Sequence, residues 1–275
     1  MLNEDYLNKL HTELLTIMDE FDRICNKYNL TYFLAGGSLL GAVRHKGFIP
    51  WDDDLDVTMP REDFDKLIKY CYKDLKDSFY LDFYTNNKNY FKPYAKLKKQ
   101  GTIFIESNSI NVKEKQEIWI DIFPLDYTED DLLLEKQKFW KDKIHHIVLT
   151  KVNAKVELCY IKKLFVKIAF SFISNNRLCK IQQNIMKIQN NKTDRKYYVN
   201  LGSQYGIIKQ KHLIENYYPI QTMKFENKIY NVPNDYNYVL KMIYGENYMQ
   251  IPPEEKRCTH YPIMVMFSDG EKIEF

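Results

Sequence analysis

The chain has 275 residues, with 40 Lys and Arg against 37 Asp and Glu and a formal charge of +3. That length suffices to bury a substantial core in one domain. The small net charge, with acids interspersed among the lysines, gives no ground for a nucleic-acid partner, which calls for a clustered basic surface. Taken in order, the first element is an amphipathic helix over 4–28, on which Leu7, Leu10, Leu14, Ile17, Phe21 and Ile24 recur at helical spacing. Residues 32–35 read as a buried strand, 38–45 as a short helix behind a Gly-Gly turn, and 55–59 as a second strand. Pro60 suits the first turn of a helix running to about residue 75. Residues 79–84, 94–98, 102–106 and 118–123 have strand composition. Residues 129–150 and 158–190 read as helices, 224–232 as a hairpin and 235–244 as a last helix. Strands alternating with helices early and helices late predict an α/β (α+β) fold with flanking helices and a helical C-terminal half.

Asp52-Asp53-Asp54-Leu55-Asp56 puts four carboxylates in five residues. In an extended strand Asp52, Asp54 and Asp56 share one face. That face suits a hard divalent cation, which takes oxygen ligands and keeps room for water and phosphate. Gly36-Gly37-Ser38 lies just upstream, where glycines admit a phosphate to the backbone and a following helix offers free amides. A solvated acidic turn is the plain alternative for the acids, and an ordinary turn for the glycines. Together they point to phosphoryl transfer, which needs charge neutralisation, alignment and a proton acceptor. Asp54 and Asp56 are the principal candidate metal ligands and Asp52 an additional one. Asp53 should point away, as a solvated acid or a partner for Arg44. Asp121, between Trp119-Ile120 and Ile122-Phe123, is costly to bury alone, and is a third ligand, the base, or a strand-end acid bonded to backbone. Asp126 reads as a turn or capping residue. Arg44 is the preferred phosphate contact because its fork matches phosphate oxygens, while His45 either joins it or orients the loop. Trp51 either stacks on a base or supports the acidic loop. His145-His146 diverge on a helix and receive no role.

From Ala35 to Phe64 the sequence reads AGGSLLGAVRHKGFIPWDDDLDVTMPREDF. This block resembles the signature of the LicD family, bacterial phosphotransferases with a nucleotidyltransferase-like fold that are related to fukutin and fukutin-related protein. Trp119–Asp126 is similar to the family's later acid-bearing strand. Tyr244-Gly245, Tyr248–Pro253, Arg257 and His260 are similar to its C-terminal signature. The resemblance implies one catalytic domain over 1–275, with a mixed-sheet, nucleotidyltransferase-like core to about 126 that holds the metal site. A mostly helical lobe over about 127–275 would complete the acceptor side, with Arg257 and His260 as candidate acceptor or phosphate contacts.

The same resemblance implies Mg²⁺ or Mn²⁺ and a CDP-linked alcohol donor. The transferred group would be phosphocholine, or glycerol- or ribitol-phosphate. The acceptor would be a cell-surface glycan of the lipopolysaccharide, capsule or teichoic-acid kind, or its lipid-linked precursor, with CMP released. Tyr, Phe and Trp number 22, 16 and 3, so rings are available to hold a quaternary ammonium, although most must be core. Two other readings stand beside this one: a true nucleotidyltransferase that leaves NMP on a small molecule or sugar, and a non-catalytic membrane-docking protein.

Five cysteines, Cys25, Cys71, Cys159, Cys179 and Cys258, form no C-x-x-C pair, which fits a reducing compartment. Cys258 and His260 find nothing nearby to complete a zinc site. The acidic, amphipathic N-terminus differs from a signal peptide, so a cytoplasmic location is expected, with candidate peripheral contact at the inner membrane face. That contact would be made by 161–174, the most apolar stretch, whose lysines suit an interfacial helix. A core or dimer helix is the first expectation for this stretch.

Overall fold

The computed structural model describes residues 4–107, 110–112, 115–257, 260 and 262–275. Cys258 lies outside them. Helix α1 (Glu4–Lys27) turns its apolar face onto the sheet, and Leu10, Ile17 and Ile24 are wholly buried. Each contributes about 1.5–3 kcal/mol through that burial. Strand β1 (Phe33–Leu34) leads into α2 (Gly36–His45), then β2 (Asp56–Pro60), α3 (Arg61–Asp74), β3 (Phe79–Asp82), β4 (Ala95–Lys99), β5 (Ile103–Glu106) and β6 (Trp119–Thr128). Helices α4 (Asp131–Lys151), α5 (Tyr160–Ala169) and α6 (Asn175–Met186) follow. After them come β7 (Tyr197–Val199), α7 (Ile207–Gln210), β8 (Lys211–Leu213), the hairpin β9 (Gln221–Phe225) and β10 (Lys228–Val232), α8 (Tyr236–Tyr244), β11 (Pro262–Met266) and β12 (Lys272–Glu274).

The fold is a mixed α/β one. The main sheet runs β1-β2-β6-β4-β3, with β7 and β8 added beside the C-terminal end of β6. Among the described residues only β2 and β6 pair in parallel, and their register sets Asp56 beside Asp121. This is the relationship that positions the site: two carboxylates from residues far apart in sequence emerge side by side. A second sheet, β12-β11-β5, carries the chain after His260 back against the core.

Three expectations change. The helix expected over 158–190 is two helices, because Ser174 accepts the Arg177 amide and caps a new start. The strand expected to end at Phe123 continues to Thr128, and Asp126 is no turn residue. It is fully buried and held by Arg61 Nε and Nη2, both at 2.7 Å. The C-terminal half is helical in α4–α8 but, among the described residues, also supplies six strands, several too short to leave a period in the sequence.

Candidate active site

The glycine turn is itself the first turn of α2, two residues earlier than expected. Ala35 precedes it with extended backbone and offers no side-chain cap. Gly36 takes a φ of +52°, which favours glycine, and a Cβ there would stand 3.0 Å from Asp56 Oδ2. A Cβ on Gly37 would stand 2.6 Å from Asp52 Oδ2. Both glycines therefore make room for carboxylates. Ser38 is buried, and its hydroxyl accepts the Asp56 amide at 2.8 Å, fastening α2 to β2. Ala35 and Gly36 line the cavity described below; Gly37 and Ser38 are not on its wall.

That cavity has a volume of about 680 Å³. Its wall carries Asp54, Asp56, Asp121 and His260, and α4 contributes Lys138, Lys141, Asp142, His145 and His146 to it, with Asp142 paired to both lysines at 2.6 Å. Asp52, Asp54 and Asp56 are half-buried. Burial, opposed by His260 and reinforced by Asp53 and Asp121, pushes Asp54 up to about 6. Burial, then the charges of Asp54, Asp121 and Asp52, hold Asp56 well above the usual carboxylate range. Asp52 is raised by burial and by Asp54 and Asp53. These like charges converge on a space with room for a cation. Asp121 Oδ1 is buried without a hydrogen-bond partner. The Lys96 ammonium lies 3.8 Å from it and 3.4 Å from the centre of the Trp119 ring. The Tyr94 phenol stands beside Asp121, and burial together with Asp121 and Asp56 raises its pKa well above the ordinary value.

Asp53 does point away, but it is neither solvated nor paired with Arg44. It is buried and accepts the His260 amide and ring Nδ1, each at 2.9 Å. His260 Nε2 then lies 3.7 Å from Asp54 Oδ2. Burial opposes protonation of His260, but Asp53 and Asp54 outweigh it and push the imidazole up to about 10. Arg44 does not reach the cavity. It donates to His45 Nε2 at 2.8 Å and to the carbonyls of Tyr248 and Gln250 at 3.0 and 3.1 Å. The Arg44 and Arg257 guanidinium groups lie over the Trp51 ring at 5.9 and 4.3 Å, and Arg257 Nε donates to the Pro252 carbonyl at 3.2 Å. Trp51 thus supports the acidic loop between two arginines. Of the C-terminal signature residues, His260 is brought to the cavity and Arg257 is not.

Sequence reading missed Lys96 and the α4 wall. For Lys96 a signal existed: Tyr94, Lys96 and Lys98 alternate with Ala95 and Leu97, so a lysine had to occupy one face of a buried strand. For α4 no signal existed, because lysines and histidines on a helix look like a solvated face. Their crowding is visible in His145, whose pKa is pushed down to about 3 by burial and then by Lys141 and Lys92. Lys141 also donates to the Leu201 carbonyl at 2.9 Å and pairs with Asp142 at 2.6 Å, so it is fixed in place.

A mixed sheet in which the parallel pair β2 and β6 presents adjacent carboxylates behind a glycine-led helix defines a nucleotidyltransferase-type domain. Residues 29–152 match the family described as LicD/FKTN/FKRP, nucleotidyltransferase domain. The chain is 29% identical over 256 residues to the lipopolysaccharide cholinephosphotransferase LicD of Haemophilus influenzae, covering 90% of this chain and 92% of that protein. Uncharacterized proteins of Rickettsia prowazekii and Rickettsia typhi are each 46% identical over 50 residues, covering 18% of this chain and 19% and 16% of theirs. Residues 29–152 thus carry a LicD-type domain, and the likeness to a cholinephosphotransferase extends over most of the chain.

Proposed function

We propose that the protein transfers a phosphorylated alcohol, phosphocholine foremost, from a CDP-linked donor to the glycan of a lipopolysaccharide or its lipid-linked precursor, at the cytoplasmic membrane face. The observation that carries this reading is the polarity of the cavity. Asp54, Asp56 and Asp121 share its wall with Lys138 and Lys141, whose charge Asp142 partly offsets, and this mixed lining suits a ligand that brings both a divalent metal and a diphosphate. The headgroup and acceptor are taken from the name of the Haemophilus relative.

Among the described residues no group of three or more His, Cys, Asp or Glu side chains is arranged as a ready-made metal site. That fits Mg²⁺ or Mn²⁺ held by one or two carboxylates, with water and substrate phosphate completing the shell. Asp54 and Asp56 would hold it, with Asp121 Oδ1, which has the Lys96 charge near it but no hydrogen-bond partner, in reserve. Asp52, turned against Gly37, serves as the carboxylate that keeps Asp54 in place. When bound, the ion screens the donor phosphates and stabilises the departing CMP.

The chain's own residues do the rest. The acceptor oxygen forms a bond to the alcohol-bearing phosphorus, and the bond from that phosphorus to the bridging oxygen breaks and leaves with CMP. Asp121 takes the acceptor's proton, helped by a register that sets it beside Asp56. Lys138 and Lys141 of α4 line the same cavity and would meet the diphosphate there. A thermal-shift screen of CDP-choline, CDP-glycerol and CDP-ribitol, each with Mg²⁺ or Mn²⁺, tests donor class, because binding to the native state raises apparent stability. A metal-dependent rise with one CDP-alcohol supports the reading; no rise with any of them contradicts it.

A further inference from the structure

Helix α5 has no buried residue, so of the expected core or dimer helix over 161–174 the core alternative is corrected. Ile161 is 77% exposed, Phe165 70%, Ile168 63% and Phe172 98%. At roughly 100° per residue, Ile161, Leu164, Phe165 and Ile168 fall within an arc of about 100°, and Phe172 follows in the turn after the helix. The half-buried residues of the helix, Lys163 and Val166, fall on the opposite side, and Phe170 and Ile173 beyond its end are also half-buried. Phe170 and Ile173 are the ones packed against the small cluster formed by α4 and α6. The most apolar face of this helix is therefore turned directly away from the protein.

Charge singles out the same place. Residues 158–193 carry seven Lys or Arg and no Asp or Glu, against +3 for the whole chain, so the remainder is net acidic. Lys162 and Lys167 stand on either flank of the apolar stripe, each about 60° beyond its edge. Lys167 is steadied by Asn153 Oδ1 at 2.6 Å. Among the described residues no helix is long and apolar enough to cross a membrane.

We infer that α5 docks the protein on an anionic lipid surface. An apolar stripe between two lysines lets the rings enter the headgroup boundary while the ammonium groups meet lipid phosphates. A second copy of this chain fits less well, since a two-fold contact would set the lysines against one another. Helix α4 packs on α5 and also lines the cavity, so docking would hold the cavity near the membrane.

The test is sedimentation of the full chain with vesicles of phosphatidylcholine alone or mixed with phosphatidylglycerol. Pelleting is expected with the mixed vesicles at low salt, weakening as salt rises. Phe165→Ser with Phe172→Ser should reduce it at least about tenfold, as should Lys162→Glu with Lys167→Glu. All four side chains are exposed, so melting should match the parent, and turnover on a soluble acceptor should be unchanged. Three results would overturn the inference: no pelleting with anionic vesicles at low salt, pelleting undiminished in both double variants, or self-association through this face without vesicle binding. Each leaves the proposed reaction standing, since that is read from donor binding and turnover.

Discussion

His260 reaches back across 207 positions of sequence to hold Asp53 by its amide and its ring. The contact removes Asp53 from the acidic wall and aims the other ring nitrogen at Asp54. Asp53 is 4% exposed, so removing its partner strands a buried carboxylate. His260→Ala and Asp53→Ala should each destabilise, and the double variant should lose less than their sum. The coupling expected from urea unfolding is about 1–3 kcal/mol. Strict additivity would mean that the pair does not act as a unit.

Asp121→Asn should lower turnover about 100-fold or more while the protein stays folded, because the amide keeps the shape but takes no proton. Rate and melting should be measured on one preparation. A normal rate per folded molecule, with a lowered melting point, would make Asp121 structural.

Asp126 makes the opposite case. It is fully buried on the far end of the same strand, in a paired fork with Arg61, and Asn190 donates to it at 2.7 Å. Asp126→Ala should cost about 3–5 kcal/mol, because it leaves the Arg61 charge buried and unpaired. Turnover per folded molecule should be preserved. Loss of rate without loss of stability would move Asp126 into the chemistry.

Gly37→Ala should damage the site more than the fold. Its Cβ would drive into the Asp52 carboxylate, which must shift and disturb Asp54. The expected result is a fall in metal-dependent donor binding with only a small change in melting. Full donor binding in this variant would show that Asp52 has freedom to move.

Glu13 supplies a pH signature away from the site. It is buried and accepts from Lys99 and from the Ser268 amide and hydroxyl. Burial raises its pKa, but those partners outweigh it and leave the carboxyl below its ordinary value of 4.5. Its contribution is therefore present above pH 4.5 and is lost as pH falls through the depressed value. Glu13→Gln should cost about 1–3 kcal/mol at neutral pH. The gap from the parent should narrow in acid, as read from urea unfolding. A gap independent of pH would contradict the assignment.

The acidic run was legible because carboxylates that dense have few uses, and alternation alone put Asp54 and Asp56 on one face. The end of β6 was hidden by Pro124, which looks like a strand breaker. Its missing amide falls where β4 has stopped pairing at Ile122 and β7 has not begun at Asp126, so no ladder bond is lost on that side. The roles of Arg44 and Arg257 were hidden for another reason. Their partners are backbone carbonyls and the Trp51 ring, which leave no mark in a sequence. The share of α4 in the lining required the fold itself, since only the fold brings its lysines and histidines to the same cavity as Asp54, Asp56 and Asp121.

The most direct measurement is product analysis of a reaction with CDP-choline, a lipopolysaccharide glycan acceptor and Mg²⁺ or Mn²⁺, run with the parent, Asp54→Asn and Asp56→Asn. The account predicts that the parent releases CMP in step with phosphocholine appearing on the acceptor, and that chelation or either substitution abolishes both while the fold remains. Nucleotide found on the acceptor, or undiminished turnover in both variants at limiting metal, would contradict it.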